Sequence, residues 1–198
     1  MPTPSAVRWC PEARSTAGVV VAAALAAALA SAVGARAYVD RPPPGHTGGF
    51  GEPTCASCHR GEAVDAPGGS LTLGVPAVFA PGEEHVLEVR LTRPGMERAG
   101  FQLTARFAEG ERAGLQAGEL RPGSEAVRTV SAHEVTYAGH SVGGAKAVAG
   151  EALWRVRWVA PEAPVGPVVF HVAANAADFD DSEYGDFVYL ASVVSQLR

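Results

Sequence analysis

Short segments in the last two thirds of the chain alternate apolar and polar residues, which is the pattern of half-buried β-strands. In residues 100–107 every second side chain is apolar, so one face would be buried: Phe101, Leu103, Ala105 and Phe107. Residues 153–159 repeat this pattern, and Trp154 and Trp158 are predicted to lie in the core. Further strands are predicted at residues 70–75, 85–91, 126–137, 165–172 and 186–194.

Turns rich in glycine and proline separate these segments, and no long helical pattern interrupts them. The 198 residues include 23 Gly and 15 Pro but only 7% aromatic residues, a mixture that suits a loop-rich β domain better than a helical bundle. We therefore predict an all-β fold, an antiparallel immunoglobulin-like β-sandwich over residues 70–198.

Residues 1–37 have the pattern of an export signal, with a signal helix at the N-terminus. Arg8 and Arg14 precede residues 17–35, which are uncharged and rich in Ala, Val and Leu, and residues 35–37 form an A-x-A cleavage site. An uncleaved membrane anchor is the alternative, because these 19 uncharged residues could just span a bilayer. Both interpretations predict an exported protein, periplasmic or on the cell surface.

The remaining body is acidic. Removal of residues 1–37 would leave a net charge of about −7, compared with −5 for the whole chain. Nucleic acid is therefore not expected as a partner, because phosphate recognition demands a basic patch. An acidic surface is compatible with docking to a basic redox partner.

Residues 55–59 read Cys-Ala-Ser-Cys-His, the attachment signature of c-type haem. Cys55 and Cys58 would bind one covalent haem c through its vinyl groups, and His59 would be the proximal axial ligand of the iron. A redox disulfide would need a βαβ context, and a zinc site would need a second ligand pair, which is absent. A structural disulfide in an exported protein is the remaining alternative.

No helices are predicted around this motif, although a small self-contained cytochrome wraps its haem in helices. Residues 38–54 are rich in Pro and Gly and are interpreted as a flexible linker, and residues 60–69 show no helical pattern. The predicted organisation is a leader at 1–37, a haem-binding segment at 38–69 and the sandwich at 70–198. The haem would therefore pack against the sandwich or be unusually exposed to solvent.

Several short motifs occur in a recognisable order: residues 100–105, 154–161, 166–170, 173–177 and 185–189. In this order they resemble bacterial exported proteins that join one C-x-x-C-H segment to a reelin-type (Reeler-like) β-sandwich. The Gly-rich run at residues 48–54 is similar to the run that precedes the haem cysteines in those proteins. The resemblance covers about residues 45–196 and implies the same two-part architecture.

The resemblance also implies a distal iron ligand. Its members tend to show a Tyr-x-x-His-Thr-like element, matched here by Tyr137 and His140 with Ser141, so His140 is the first candidate. His133 and Met96 are the alternatives, together with an open or water-bound position. A second histidine would favour a lower potential and electron transfer, whereas a methionine would raise the potential.

Two functional hypotheses follow. The first is an exported monohaem c-type cytochrome that transfers electrons, and the second is a surface or periplasmic binding or adhesion module in which haem is a sensor or structural element. Both favour an electron carrier or binding module over an enzyme, since no hydrolase or kinase motif is present. The acidic run at 178–186 fails the EF-hand pattern, so calcium is less favoured there than a solvated loop.

Overall fold

The structure, a computed structural model, describes residues 41–180 and 182–198. Eleven strands lie in these residues. Their bounds are β1 Arg60–Gly61, β2 Ser70–Gly74, β3 Val78–Phe79, β4 Glu84–Thr92, β5 Arg98–Phe107, β6 Glu119–Pro122, β7 Val127–Ala132, β8 Val135–His140, β9 Glu151–Val159, β10 Val168–Ala177 and β11 Tyr184–Leu197. The predicted leader lies outside the described residues. Within the described part, no helix has the length and apolarity needed to cross a membrane.

The strands form two sheets that pack face to face as a β-sandwich. The larger sheet has the order β1-β11-β10-β5-β8-β7, with β3 pairing with β11, and the smaller has the order β2-β4-β9-β6. The long pairs are antiparallel, while the two-residue strands β1 and β3 pair with β11 in parallel. The predicted all-β sandwich is confirmed.

The core lies between the two sheets and follows the alternation in the sequence. The inward residues of β5 are fully buried. On the neighbouring strand β10, Val172 lies opposite Leu103 and Ala174 lies opposite Phe101. On the smaller sheet, Trp154 and Trp158 of β9 face the core. Each indole N–H donates to a backbone carbonyl, so neither ring leaves a buried donor unpaired.

One segment that was predicted as a single strand forms a hairpin of two strands. Residues 126–137 were predicted as a single strand, but β7 ends at Ala132 and β8 begins at Val135. His133 and Glu134 form the turn between them with φ values of 50° and 63°. Positive φ at both central residues is typical of the two-residue hairpin turn whose twist matches that of the strands. Strands β1, β3 and β6 were not predicted, because two to four residues are too few to show alternation.

The outer face of the larger sheet is also covered. On β5 the outward side chains Gln102, Thr104 and Arg106 are only 1%, 0% and 5% exposed. The backbone of His46 donates to Gln102 Oε1 at 2.6 Å, and Gln102 Nε2 donates to the carbonyl of Pro43 at 2.9 Å. The described part of the predicted linker therefore packs on the sheet, because the polar side chains beneath it pair with its backbone.

Gly49 is the point of closest approach between this segment and the sheet. A Cβ at Gly49 would lie 2.5 Å from Cγ of His171 on β10. We expect Gly49→Ala to lower the free energy of unfolding by roughly 1–3 kcal/mol, the usual cost of overpacking. Urea denaturation measures this cost. Gly143→Ala is the matched control, since its added methyl would meet nothing closer than 3.9 Å. Equal stability of the two variants would contradict this close packing.

Candidate functional site

The C-x-x-C-H motif forms a single compact turn. A 3-10 turn spans Cys55–Ser57, and Thr54 caps it by accepting a hydrogen bond from the N–H of Ala56 at 3.2 Å. The N–H groups of Cys58 and His59 both donate to the carbonyl of Cys55, at 3.1 and 2.9 Å. The turn therefore brings both cysteines and the histidine into one local unit, as a shared haem attachment requires.

The two cysteines have different environments. Cys55 is 9% exposed and packs with Ala173 of β10 and Val188 of β11, whereas Cys58 is half-buried. Burial raises the pKa of the Cys55 thiol to about 12. Cys55 is thus held as an unreactive thiol against the sheet.

This difference predicts selective alkylation of the haem-free protein. With iodoacetamide at pH 8, Cys58 should react at least tenfold faster than Cys55, because the thiolate is the nucleophile and burial suppresses it at Cys55. Peptide mass spectrometry after short exposure measures the two rates. In urea the rates should converge. Equal rates in the native protein would contradict the burial of Cys55.

Two polar side chains of the larger sheet lie against Nδ1 of His59. Its Nδ1 lies 2.5 Å from Oδ2 of Asp186 on β11 and 3.0 Å from Nδ2 of Asn175 on β10. Asn175 Nδ2 also lies 3.2 Å from Asp186 Oδ2. The side chain of Asp186 is 2% exposed and that of His59 is 20% exposed. The acidic run at 178–186 was predicted to be a solvated loop, but its last residue is buried beside His59.

A buried ion pair fastens the segment that precedes the motif. Arg106 Nη2 donates to Oε1 of Glu52, and the two side chains are 6% and 14% exposed. Tyr137 donates its hydroxyl proton to the same Oε1 at 2.6 Å, and Thr47 donates to Oε2 at 2.5 Å. Because β5 carries Arg106 and β8 carries Tyr137, this cluster joins residues 47–52 to the sandwich.

His171 lies under the same segment. Its ring meets Phe50 edge to face, with 5.4 Å between the ring centroids. Burial, and secondly the charge of Arg106, lower the pKa of His171 below its ordinary value. The folded protein therefore favours the neutral imidazole.

The lowered pKa of His171 predicts a loss of stability in mild acid. The unfolded chain binds this proton more readily, so stability should be full above the ordinary value of 6.5 and fall as pH drops through it. Urea midpoints measured from pH 8 to pH 5 test this slope. His171→Gln should flatten it, while His133→Asn, in the exposed turn, should retain it. An unchanged slope in His171→Gln would contradict the assignment.

The three candidates for the distal ligand lie in different places. His140 is buried, and its Nδ1 accepts the N–H of Phe101 at 3.2 Å. When Nδ1 of a neutral histidine accepts a hydrogen bond, the ring proton is on Nε2. Ligation of iron through Nε2 would move this proton to Nδ1 and break the hydrogen bond from Phe101. His133 is exposed in the β7–β8 turn, and Met96 is 5% exposed in the core. The distal ligand stays a prediction.

The predicted haem can be tested against the donors at the site. Among the described residues, no group of three or more His, Cys, Asp or Glu side chains is placed to hold a metal ion. A haem iron needs only axial ligands, because the porphyrin supplies the other four. With Nδ1 of His59 directed at Asp186, Nε2 is the nitrogen left for iron. The residues present therefore fit the proximal half of a haem site.

Comparisons with known proteins concern the sandwich. No protein-family model and no curated protein matches the chain. The human F-spondin reeler domain is 20% identical over 73% of this chain and 99% of that chain, with a TM-score of 0.41. A cohesin module from a Clostridium perfringens family 33 glycoside hydrolase is 16% identical over 66% of this chain and 96% of that chain, with a TM-score of 0.42. The sandwich is similar to these domains, and its fold is defined by its own two sheets.

Proposed function

We propose that this protein is an exported monohaem c-type cytochrome whose haem segment is docked on a reelin-type sandwich. The observation that carries the proposal is the C-x-x-C-H turn, in which the Nδ1 side of His59 is occupied by Asp186 and Nε2 is left for a metal. Metal-ligating histidines usually direct their other ring nitrogen at a carboxylate or a carbonyl, and Asp186 provides that partner for His59.

In this proposal Cys55 and Cys58 bind one haem c covalently and His59 is its proximal ligand. The group supplies one-electron redox chemistry when bound. The buried position of Cys55 against Ala173 and Val188 implies that attachment precedes docking of the segment on the sheet. The cluster around Glu52 and Arg106 then fixes the segment, and Asp186 fixes the ring of His59.

The acidic body suits transfer of electrons to a basic redox partner. Export through residues 1–37 would deliver the chain to the compartment where c-type haem is attached in bacteria, and an uncleaved leader would anchor it to the membrane. His140 remains the first candidate for the distal ligand within this proposal.

Covalent haem is tested with the full chain, expressed with its own leader in bacteria that mature c-type cytochromes. A haem-peroxidase stain after denaturing electrophoresis should reveal a band for the wild type. Replacement of both Cys55 and Cys58 by serine should abolish the band, whereas Cys10→Ser, in the leader, should retain it. Absence of the band from the wild type would overturn both this proposal and the alternative of a haem-containing binding module.

A further inference from the structure

We propose that Asp186 is the positioning residue of His59 and that it keeps the reduction potential of the haem iron low. This inference rests on the proposed haem function and assigns a role to a residue outside the C-x-x-C-H motif. Asn175 is the second member of the arrangement, because its amide contacts both Asp186 and His59.

The sheet topology brings Asp186 to the motif. The short strand β1 follows His59 directly and pairs in parallel with the start of β11, with Gly61 opposite Asp186. The N–H of Arg60 also donates to the carbonyl of Glu183 at 2.6 Å. These backbone bonds fix the end of the haem motif beside a carboxylate that is 127 residues away in sequence. The contact therefore depends on strand pairing as well as on the two side chains.

The chemistry of the contact favours a defined ring state. A carboxylate accepts hydrogen bonds and cannot donate one when ionised, so the proton of His59 resides on Nδ1 and points at Asp186 Oδ2. The lone pair on Nε2 is then available to a metal ion. A charge-assisted bond of this kind is roughly twice as strong as one to a neutral acceptor.

Such a bond changes the iron as well as the ring. A carboxylate on the outer nitrogen raises the basicity of the ligating nitrogen, and a more basic ligand stabilises the ferric state more than the ferrous state. Burial strengthens the effect, since the Asp186 side chain is 2% exposed and little water competes for it. The expected consequence is a lower reduction potential than a neutral acceptor would give.

Asn175 moderates this bond. Because Nδ1–H of His59 is directed at Asp186, the amide of Asn175 has its acceptor in the same Oδ2, at 3.2 Å. It therefore competes with His59 for that oxygen. Within the described residues, Oδ1 of Asp186 and Oδ1 of Asn175 have no hydrogen-bond partner. Loss of the Asn175 amide should thus strengthen the bond to His59 and lower the potential further.

The experiment compares the haem-loaded wild type with Asp186→Asn, Asn175→Ala and a control, Glu62→Gln. The control removes an exposed negative charge three residues after His59 and leaves the contact intact. Spectroelectrochemical titration gives the midpoint potential of each protein. Covalent haem is verified in each by the denaturing-gel stain. In the haem-free wild type, ¹⁵N-histidine NMR should show a strongly downfield Nδ1–H of His59, which Asp186→Asn shifts upfield.

We expect Asp186→Asn to raise the midpoint by about 59 mV or more, the equivalent of a tenfold change in a one-electron equilibrium. Asn175→Ala should shift the midpoint in the opposite direction, and Glu62→Gln should stay near the wild type. If Asp186→Asn fails to fold, the downward shift in Asn175→Ala carries the test. Unchanged midpoint potentials in the haem-loaded variants would overturn the role of Asp186 and leave the cytochrome proposal standing. Absence of covalent haem from the wild type would overturn this role and the cytochrome proposal together.

Discussion

Glu52→Ala is expected to lower the free energy of unfolding by about 3–5 kcal/mol, the cost of leaving one partner of a buried ion pair alone. Arg106 would keep its charge in a site where its side chain is 6% exposed. Tyr137 would lose the acceptor that lies 2.6 Å from its hydroxyl. Burial lowers the pKa of Arg106 below its ordinary value, so the charged guanidinium depends on its partners.

Chemical denaturation of the full chain, followed by tryptophan fluorescence, measures this loss. Glu88→Ala is the matched control, because Glu88 pairs with Arg155 on the exposed face of the smaller sheet. A surface pair of this kind contributes about 0–1 kcal/mol. If both variants lose the same small free energy of unfolding, Glu52 does not fasten the segment before the C-x-x-C-H motif to the sandwich.

Trp158→Ala is expected to cost about 3–5 kcal/mol, the usual range for loss of a buried aromatic side chain. Its indole is 0% exposed and meets Phe79 and Phe170 edge to face, at centroid separations of 5.2 and 4.9 Å. Its Nε1–H donates to the carbonyl of Ala117 at 2.9 Å. The variant would therefore lose contacts with two strands of the larger sheet, β3 and β10, and one buried hydrogen bond.

The same denaturation assay measures the effect of Trp158→Ala. Val86→Ala is its control, since Val86 is 56% exposed on β4, the strand that pairs with β9. Surface substitutions of this kind usually stay within about 0.5 kcal/mol. If Trp158→Ala lowers the free energy of unfolding as little as Val86→Ala does, the Trp158 ring does not contribute to the core.

Local sequence patterns were sufficient for the sandwich. Alternation is a property of neighbouring residues, so the buried face of β5 and the two core tryptophans of β9 could be assigned without knowledge of the strand order. The hairpin at His133 and Glu134 could not be assigned in this way. Neither residue is a glycine or an asparagine, so no common turn residue marks the boundary between the two strands in residues 126–137.

The candidate site could be predicted only in part. The C-x-x-C-H motif is contiguous, so its cysteines and His59 are visible in the sequence. The partners of His59 are not, because Asn175 and Asp186 reach it through the pairing of β10, β11 and β1. Proline and glycine in residues 41–54 suggested flexibility. The ordering of that segment depends on Gln102, Arg106 and Tyr137, whose partners in the segment lie at least 54 positions earlier in the chain.

The parallel pairing of β1 and β3 with β11 also bears on solubility. Strand β11 would otherwise be the open border of the larger sheet, and unpaired strand borders promote association between molecules. Strand β1 covers the start of this border through Arg60 and Gly61, and β3 covers its end through Val78 and Phe79. A chain in which β1 fails to pair would expose part of this border, and we expect such a chain to aggregate more readily.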